Sequence, residues 1–558
     1  MQQSGFVSFA IMADSSVHTG FCFDLENSRL TPKTFFVKDG RITKMQDADS
    51  RDCNSYFLPG FIDAHVHIES SLLIPSEFAR MAVIHGTVGT ISDPHEIGNV
   101  MGIFGVEYML RNSKKVPFYF FFGAPSCVPA TIFETAGDEI NLAGIEHLLK
   151  RDDIWYLAEV MNFPGVLNKD PEMIAKLDVA KKYNKPIDGH APGLKGDDAW
   201  RYAQNGITTD HECFTLDEAL DKIKAGMKIQ IREGSAAKNF NALHPLLASY
   251  PEKVMFCSDD KHPDSLLEGH INLLVKRALN LGYDIFDVLR ASSWNIKEHY
   301  NLPVGMLREG DSADFIEIDN TDSFKILSTY IKGECQAANG KTRIKSVAEV
   351  EENRFKSRLV KKEEFKVRAE GGSVKVIEAL EGQLITNLIH HQLERNSDGF
   401  YDSDLQNDVL KIAVINRYKD APIAQGFIKN FGLKKGAIAS SVAHDSHNIV
   451  LVGCTDEDMC EAANLIMNAK GGLCAVNGNE THLLALPVAG LMSTSDGFKI
   501  AQDYITLDAF VKQKLGSTLN APFMTLSFMA LLVIPSLKLS DKGLFNGDTF
   551  EFTSLWNK

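Results

Sequence analysis

Pro59-Gly60-Phe61-Ile62-Asp63-Ala64-His65-Val66-His67 decides the fold, because an apolar run ends in two histidines spaced i and i+2. On an extended strand two such side chains project to the same side, so both can grip one cation. Neutral imidazoles suit zinc, iron or manganese, and a strand end leaves coordination sites open for water and substrate. The competing reading is a pair of ordinary buried histidines, and the rest of the chain has to decide.

From Phe57 onward short apolar runs recur, each followed by loop residues and a helix-like stretch, which is the pattern of β/α units. The runs are Leu58 to Ala64, Gly86 to Ser92, Val116 to Phe122, Ile154 to Val160, Lys185 to Gly189, Gly206 to Asp210, Met227 to Ile231 and Val254 to Ser258. Eight such units close a barrel. Several runs end directly in metal-binding or proton-carrying residues: His65 and His67, Asp93, His95 and Glu96, Glu159, His190, His211, and Asp259 with Asp260. That repetition weakens the ordinary-histidine reading. A second cation needs imidazoles of its own, which His190 and His211 supply, and Glu159 is placed to hold two cations close together. Hydroxide held by a pair of cations is a nucleophile at neutral pH. Asp259 is the best candidate to take its proton and pass it to a leaving group, with a helix N-cap before Pro263 as the alternative.

Other residues near strand ends read two ways. Asp93, His95 and Glu96 form an additional polar wall or ligand set near the second strand, or simply cap the next helix. Ser126 and Cys127 line a base pocket or are a buried structural pair, and Arg232, Glu233 and Ser235 belong to a binding loop or to an exposed ion pair. The cluster His444, Asp445, His447 and Asn448 resembles a second metal site, yet such H-x-x-H stretches are also hydrogen-bonded turns. If the C-terminal unit folds over the barrel mouth, these residues close the pocket, and truncation at Lys366 abolishes turnover while leaving the barrel folded. Two motifs fail: His67-Ile68-Glu69 lacks the P-C-x-x-C partner of cytidine-type deaminases, and His95-Glu96 lacks the second histidine of H-E-x-x-H.

The flanks differ from the barrel. Phe35 to Ile42 reads as strand, Asp-Gly turn, strand, and Leu302 to Asn320 returns to short strands that can pair with it. Lys341 to Lys366 is rich in Lys, Arg and Glu and reads as an exposed helical linker. Beyond it lie strands at Val409 to Val414, Ile449 to Val452 and Leu473 to Val476, with a helix from Asp456 to Ala469. The expected division is a β-unit over 1–57, the barrel over 58–301, a second β-part over 302–340, the linker 341–366 and a C-terminal α/β domain over 367–558.

The chain has 558 residues, 44% of them hydrophobic, enough for a large core with a satellite. Its net charge of -15 argues against nucleic acid, whose phosphates require clustered Lys and Arg. There is no apolar run of membrane-spanning length, and the opening MQQSGFVSFAIMADSS lacks the basic start of a signal peptide, so a cytoplasmic protein without a membrane partner is expected. Nine cysteines without a C-x-x-C pair suggest mostly buried thiols.

The opening motif resembles the entry motif of the amidohydrolase superfamily. More specific strings resemble its adenine deaminase family: Ser92-Asp93-Pro94-His95-Glu96-Ile97-Gly98-Asn99, Glu159 to Val166, Asp188-Gly189-His190-Ala191-Pro192-Gly193 and Ser258 to Pro263. The likeness continues through Gly426 to Lys429, Ala443 to Asn448 and Pro522 to Phe528, nearly the whole chain. It departs at Ser15 to Cys22, where a strand-rich lead-in is expected. The resemblance implies an α/β fold: a distorted (β/α)8 TIM-like barrel, a small composite β-domain from both flanks and a separate C-terminal domain. It implies hydrolytic deamination of adenine to hypoxanthine and ammonia by metal-bound hydroxide, within purine salvage. Two divalent ions are implied, manganese or iron with zinc as a third option, on His65, His67, Glu159, His190, His211 and Asp259. Glu159 and Asp259 are the catalytic candidates, with Glu159 either between the metals or protonating a purine ring nitrogen. Asp93, His95, Glu96, Ser126 and Arg232 are the candidate substrate-binding residues, and a small purine substrate and a homo-oligomer, a dimer, are expected. The alternatives are another paired-metal amidohydrolase acting on a cyclic amide or an N6-substituted purine, and a barrel scaffold without chemistry.

Overall fold

The computed structural model describes residues 15–235, 237–356 and 358–556. Of the opening stretch read for a targeting signal, residues 1–14 lie outside the described residues.

Eight parallel strand positions make the barrel. They are Phe61–His67, Thr87–Ser92, Tyr119–Ala124, Ile154–Val160, Ile187–Gly189, Thr209–Asp210, Lys228–Arg232, and Val254–Cys257 continued after Ser258 by Asp259–Asp260. Closure is made by this last position, because Asp259 and Asp260 pair with Val66 and His67 of the first strand. Asp259 takes a positive φ of 57° there, which breaks the strand in two and turns its carboxylate inward. The first and last barrel strands are buried along their length, as expected where helices cover the outside of a parallel sheet.

The apolar run at Leu58 serves two sheets. Tyr56–Pro59 does not enter the barrel; it pairs with Phe315–Ile318 and with Ser16–Asp24, and Gly60 marks the crossing into Phe61–His67. A Cβ at Gly60 would collide with the Val88 methyl groups, so only glycine allows this close passage. The small sheet runs in the order Lys341–Thr342, Glu334–Ala338, Ile326–Ile331, Phe315–Ile318, Tyr56–Pro59, Ser16–Asp24, Arg29–Lys38, Arg41–Asp47, so both flanks build it. Its core is a cluster of Phe35, Phe57 and Phe315 meeting edge to face. Ser16–Asp24, where the family pattern is lost, is nevertheless a full strand of nine residues.

Among its described residues the linker carries no α-helix. After Lys341–Thr342 they have no regular secondary structure until a short 3-10 turn at Lys362–Phe365. Its polar residues find partners along the way: Ser346 donates to Glu77, and Glu349 accepts from the Asn112 amide at 2.7 Å. Lys, Arg and Glu favour helix in isolation, but these fixed barrel partners keep the chain out of a helix.

The C-terminal unit is an eight-stranded sheet in the order Thr386–His391, Val374–Ala379, Ala424–Lys429, Val409–Ile415, Ile449–Gly453, Ala437–Ser440, Gly472–Asn477, Glu480–Ala485. Helix Asp456–Ala469, capped by the Thr455 hydroxyl, covers one face through Met459, Ala462, Ala463 and Ile466. The opposite face, with Ile412, Val414, Ile438 and Val450, belongs to the same apolar cluster as barrel residues such as Val66 and Ile97. The sheet is thus seated on the barrel through this shared apolar cluster. No helix among the described residues is long and apolar enough to cross a membrane.

Candidate active site at the barrel mouth

All six candidate ligands meet at the C-terminal ends of the barrel strands. His65 Nε2 and His67 Nε2 lie 3.1 Å apart, as the i, i+2 spacing requires. Glu159, at the end of Ile154–Val160, is the hub. Its Oε2 is 2.8 Å from His190 Nδ1, 3.1 Å from His211 Nε2 and 3.9 Å from His65 Nε2. Its Oε1 is 3.3 Å from His95 Nδ1 and 3.6 Å from His67 Nε2. Asp259 Oδ1 lies 3.3 Å from His67 Nε2 and 3.7 Å from His65 Nε2. The N-cap alternative for Asp259 fails, because the next helix, Pro263–Glu268, is preceded by His262 at its cap position.

The donors fall into overlapping sets whose ligand atoms all lie within 4.8 Å of one another: His65, His67 and Asp259; His65, Glu159 and His211; His67, Asp93, His95 and Glu159. Imidazole nitrogens and carboxylate oxygens without a thiolate suit divalent zinc, iron or manganese. Burial, helped by the neighbouring His211 and His67 rings, holds His65 well below the usual imidazole range, so its lone pair is available to a cation. Burial pushes Glu159 upward, but the adjacent His190 and His211 outweigh it and hold the carboxyl well below its ordinary value. Burial acts in the same direction on Asp259, where Arg232 and then His67 outweigh it. The residues therefore fit a paired divalent centre.

Asp93 and His95 take the ligand-set arrangement that the sequence offered as one reading: His95 Nδ1 is 3.2 Å from Asp93 Oδ2 and faces Glu159, within the ligand cluster itself, and His95 also lines the pocket. Asp93 also accepts from the His95 backbone N–H, so it steadies the helix start as well. Glu96 reaches across to the C-terminal unit, where it bonds both His444 and His447. His447 Nδ1 accepts the Ala443 N–H at 3.1 Å, which leaves the proton on Nε2 to donate to Glu96. That is a hydrogen-bonded turn, and the same side chains, Glu96, His444 and His447, also bring one ligand atom each within 4.8 Å of one another.

Arg232 lines the pocket with both terminal guanidinium nitrogens paired, while its buried Nε has no partner. It grips Glu212 through two bonds and Asp259 at 2.6 Å, a buried clamp and not an exposed ion pair. Glu233 pairs outward with Arg277, and the Ser235 hydroxyl lies 3.0 Å from that of Ser265. The Ser126 hydroxyl donates to the Glu159 carbonyl at 2.6 Å and faces, with Cys127, a neighbouring cleft instead of the histidine pocket. Two contributions went unread in the sequence. Glu212 directly follows a strand-end histidine and had that position as a signal. The apolar roof of Leu384, Phe528, Leu531, Val533 and Ile534 carries no motif apart from Phe528, which ends the Pro522 to Phe528 string. Phe528 stacks on His444 at 4.5 Å, and the buried Lys538 ammonium ties the roof by donating to the carbonyls of Leu384 (2.6 Å) and Phe528 (3.0 Å).

Residues 56–335 match the amidohydrolase family, and residues 383–551 match the adenine deaminase C-terminal domain. The chain is 54% identical to an adenine deaminase of Sulfurovum sp. over 95% of this chain and 97% of that one. It is 52% identical to one of Salinibacter ruber over 96% and 97%, and 49% identical to one of Methanosarcina mazei over 97% and 99%. Nearly end-to-end matches of this kind, together with a buried histidine and carboxylate cluster in a β/α barrel, place the chain in the adenine deaminase family of the amidohydrolases.

Proposed function

We propose that this protein hydrolyses adenine to hypoxanthine and ammonia. The observation that carries the reading is Glu159, a single ionised carboxylate approached by His65, His67, His95, His190 and His211 at the mouth of a barrel. His65, His67, His190, His211, Glu159 and Asp259 would hold two divalent ions, manganese or iron in preference to zinc. When bound, such ions supply Lewis acidity that lowers the pKa of water to near neutrality.

The remaining work falls to the chain's own side chains. Glu159 presents Oε2 to His65, His190 and His211 and Oε1 to His67 and His95, so both oxygens would serve as ligands to the cations, which favours that role over one as ring-nitrogen acid. Asp259, kept ionised by Arg232, takes the proton of the attacking water and passes it to the departing amine. Arg232 and Glu212 hold Asp259 in place, and the apolar roof keeps bulk water away from the reacting carbon. The proposal extends to a cytoplasmic homodimer, which light scattering and cell fractionation test.

The deciding experiment is a coupled ammonia assay on protein of measured metal content, with adenine as substrate. Turnover that scales with metal occupancy is expected. No ammonia with manganese, iron or zinc would overturn the proposal.

A further inference from the structure

Two buried polar atoms in the roof of the pocket have no hydrogen-bond partner in the protein: His444 Nε2 and Asp445 Oδ2. Both residues line the cavity shared with Glu159, His190 and His211, and their exposure is only 2% and 4%. Neither side chain is loose. His444 is held through Nδ1 by Glu96 and by stacking on Phe528, while Asp445 Oδ1 lies 3.8 Å from His95 Nε2. Buried polar groups in folded proteins are normally paired, and in a ligand pocket the missing partner is carried by the ligand.

The chemistry of adenine says which part of the ligand that is, an argument that rests on the function proposed above. The amine-bearing carbon must face Glu159 and Asp259 on the barrel side. The five-membered ring then points toward the opposite wall, the roof. That edge of the free base carries one N–H and neighbouring ring nitrogens with lone pairs, so it needs an acceptor beside a group that can hydrogen-bond a ring nitrogen. We infer that Asp445 Oδ2 accepts the N9–H of the base, while His444 Nε2 bonds a ring nitrogen beside it. The C-terminal unit thereby selects free adenine over purines substituted at N9. A substituent there removes the donor, leaves Asp445 buried and unpaired, and drives a carbon chain against Leu384, Leu531 and Ile534.

The test compares adenine with 9-methyladenine on manganese-loaded protein, wild type against Asp445→Ala and His444→Ala, with metal content measured for each. For the wild type, kcat/KM with 9-methyladenine should lie at least about 100-fold below that with adenine. In Asp445→Ala, adenine should lose about 10- to 100-fold in kcat/KM, chiefly through KM, at unchanged metal content. The preference over 9-methyladenine should shrink at least about tenfold. His444→Ala should raise KM for adenine in the same direction. An unchanged preference in Asp445→Ala overturns the inference, and so does equal use of the two bases by the wild type, a comparison that does not depend on any variant folding. If the wild type releases no ammonia, the proposed function fails, yet calorimetry still reads the contact. Adenine binding that weakens at least about tenfold in Asp445→Ala supports it, and unchanged binding overturns it.

Discussion

Glu159 is the hub of the histidine cluster, and its two proposed roles separate experimentally. Glu159→Gln should lower kcat for adenine by at least about 100-fold in the ammonia assay. If the carboxylate stands between two cations, the variant should also retain fewer than two ions per chain by elemental analysis. Loss of turnover with both ions retained would assign it the proton-donor role, and full activity would refute both. A second residue carries structural weight outside the chemistry. Lys222 is fully buried between Asp210 at 3.1 Å and Glu218 at 3.0 Å, beneath the strand that presents His211. Lys222→Met strands two buried carboxylates, for an expected loss of about 3–5 kcal/mol in stability. A thermal midpoint equal to wild type would refute this. At this scale the sequence was informative about which side chains gather at the barrel mouth and poor about how they pair there. His65, His67, His190 and His211 announce themselves at strand ends. Whether Asp93, His95 and Arg232 face a substrate or their neighbours depends on distances of one or two ångströms between different strands, which no local spacing contains.

Most barrel strands were legible because they are short apolar runs ending in or followed by a polar residue, and the helix Asp456–Ala469 was legible because it combines a Thr cap, an acidic first turn and an apolar stripe. The stretch 341–366 was not, since its helix-favouring composition is overridden by barrel partners such as Glu77 and Asn112. The roof was illegible for another reason: Leu384, Phe528 and Ile534 look like any core residues until the fold brings them together. Lys538 is the element-level device that positions them. Burial pushes its ammonium down to about 7. An unfolded lysine stays protonated to about pH 10.4. The cost of charging Lys538 in the folded protein is therefore fully present below pH 7 and relieved as pH rises from 7 toward 10. Wild-type stability should gain on that of Lys538→Met over this interval, by at most about 1.4 kcal/mol per pH unit. Parallel melting curves at pH 7 and pH 9 for both proteins would refute it. The same variant leaves the Leu384 and Phe528 carbonyls unpaired, so KM for adenine should rise while metal content stays unchanged.

At the scale of the molecule, the barrel and the C-terminal unit are one apolar body with a polar cavity at their junction. Ile412, Val414 and Val450 on the C-terminal side cluster with Val66 and Ile97 on the barrel side. A chain ending at Lys366 should therefore lose turnover, as the sequence suggested, but it should not leave a well-behaved barrel. The uncovered apolar face should make the fragment aggregate or bind a hydrophobic dye, and a soluble, dye-free, cooperatively melting fragment would refute this. Chelation of the full-length protein should abolish adenine turnover, and readdition of manganese should restore it.

The pairing of Asp259 and Asp260 with Val66 and His67 has a consequence for the order of events during synthesis. His65 and His67 leave the ribosome almost two hundred residues before the strand that closes the ring. Until that strand arrives, the emerging histidines lack both the Asp259 carboxylate and the Arg232 clamp that keeps it ionised. The set formed by His65, His67 and Asp259 is therefore completed only at ring closure, after every residue of the other two sets has already emerged.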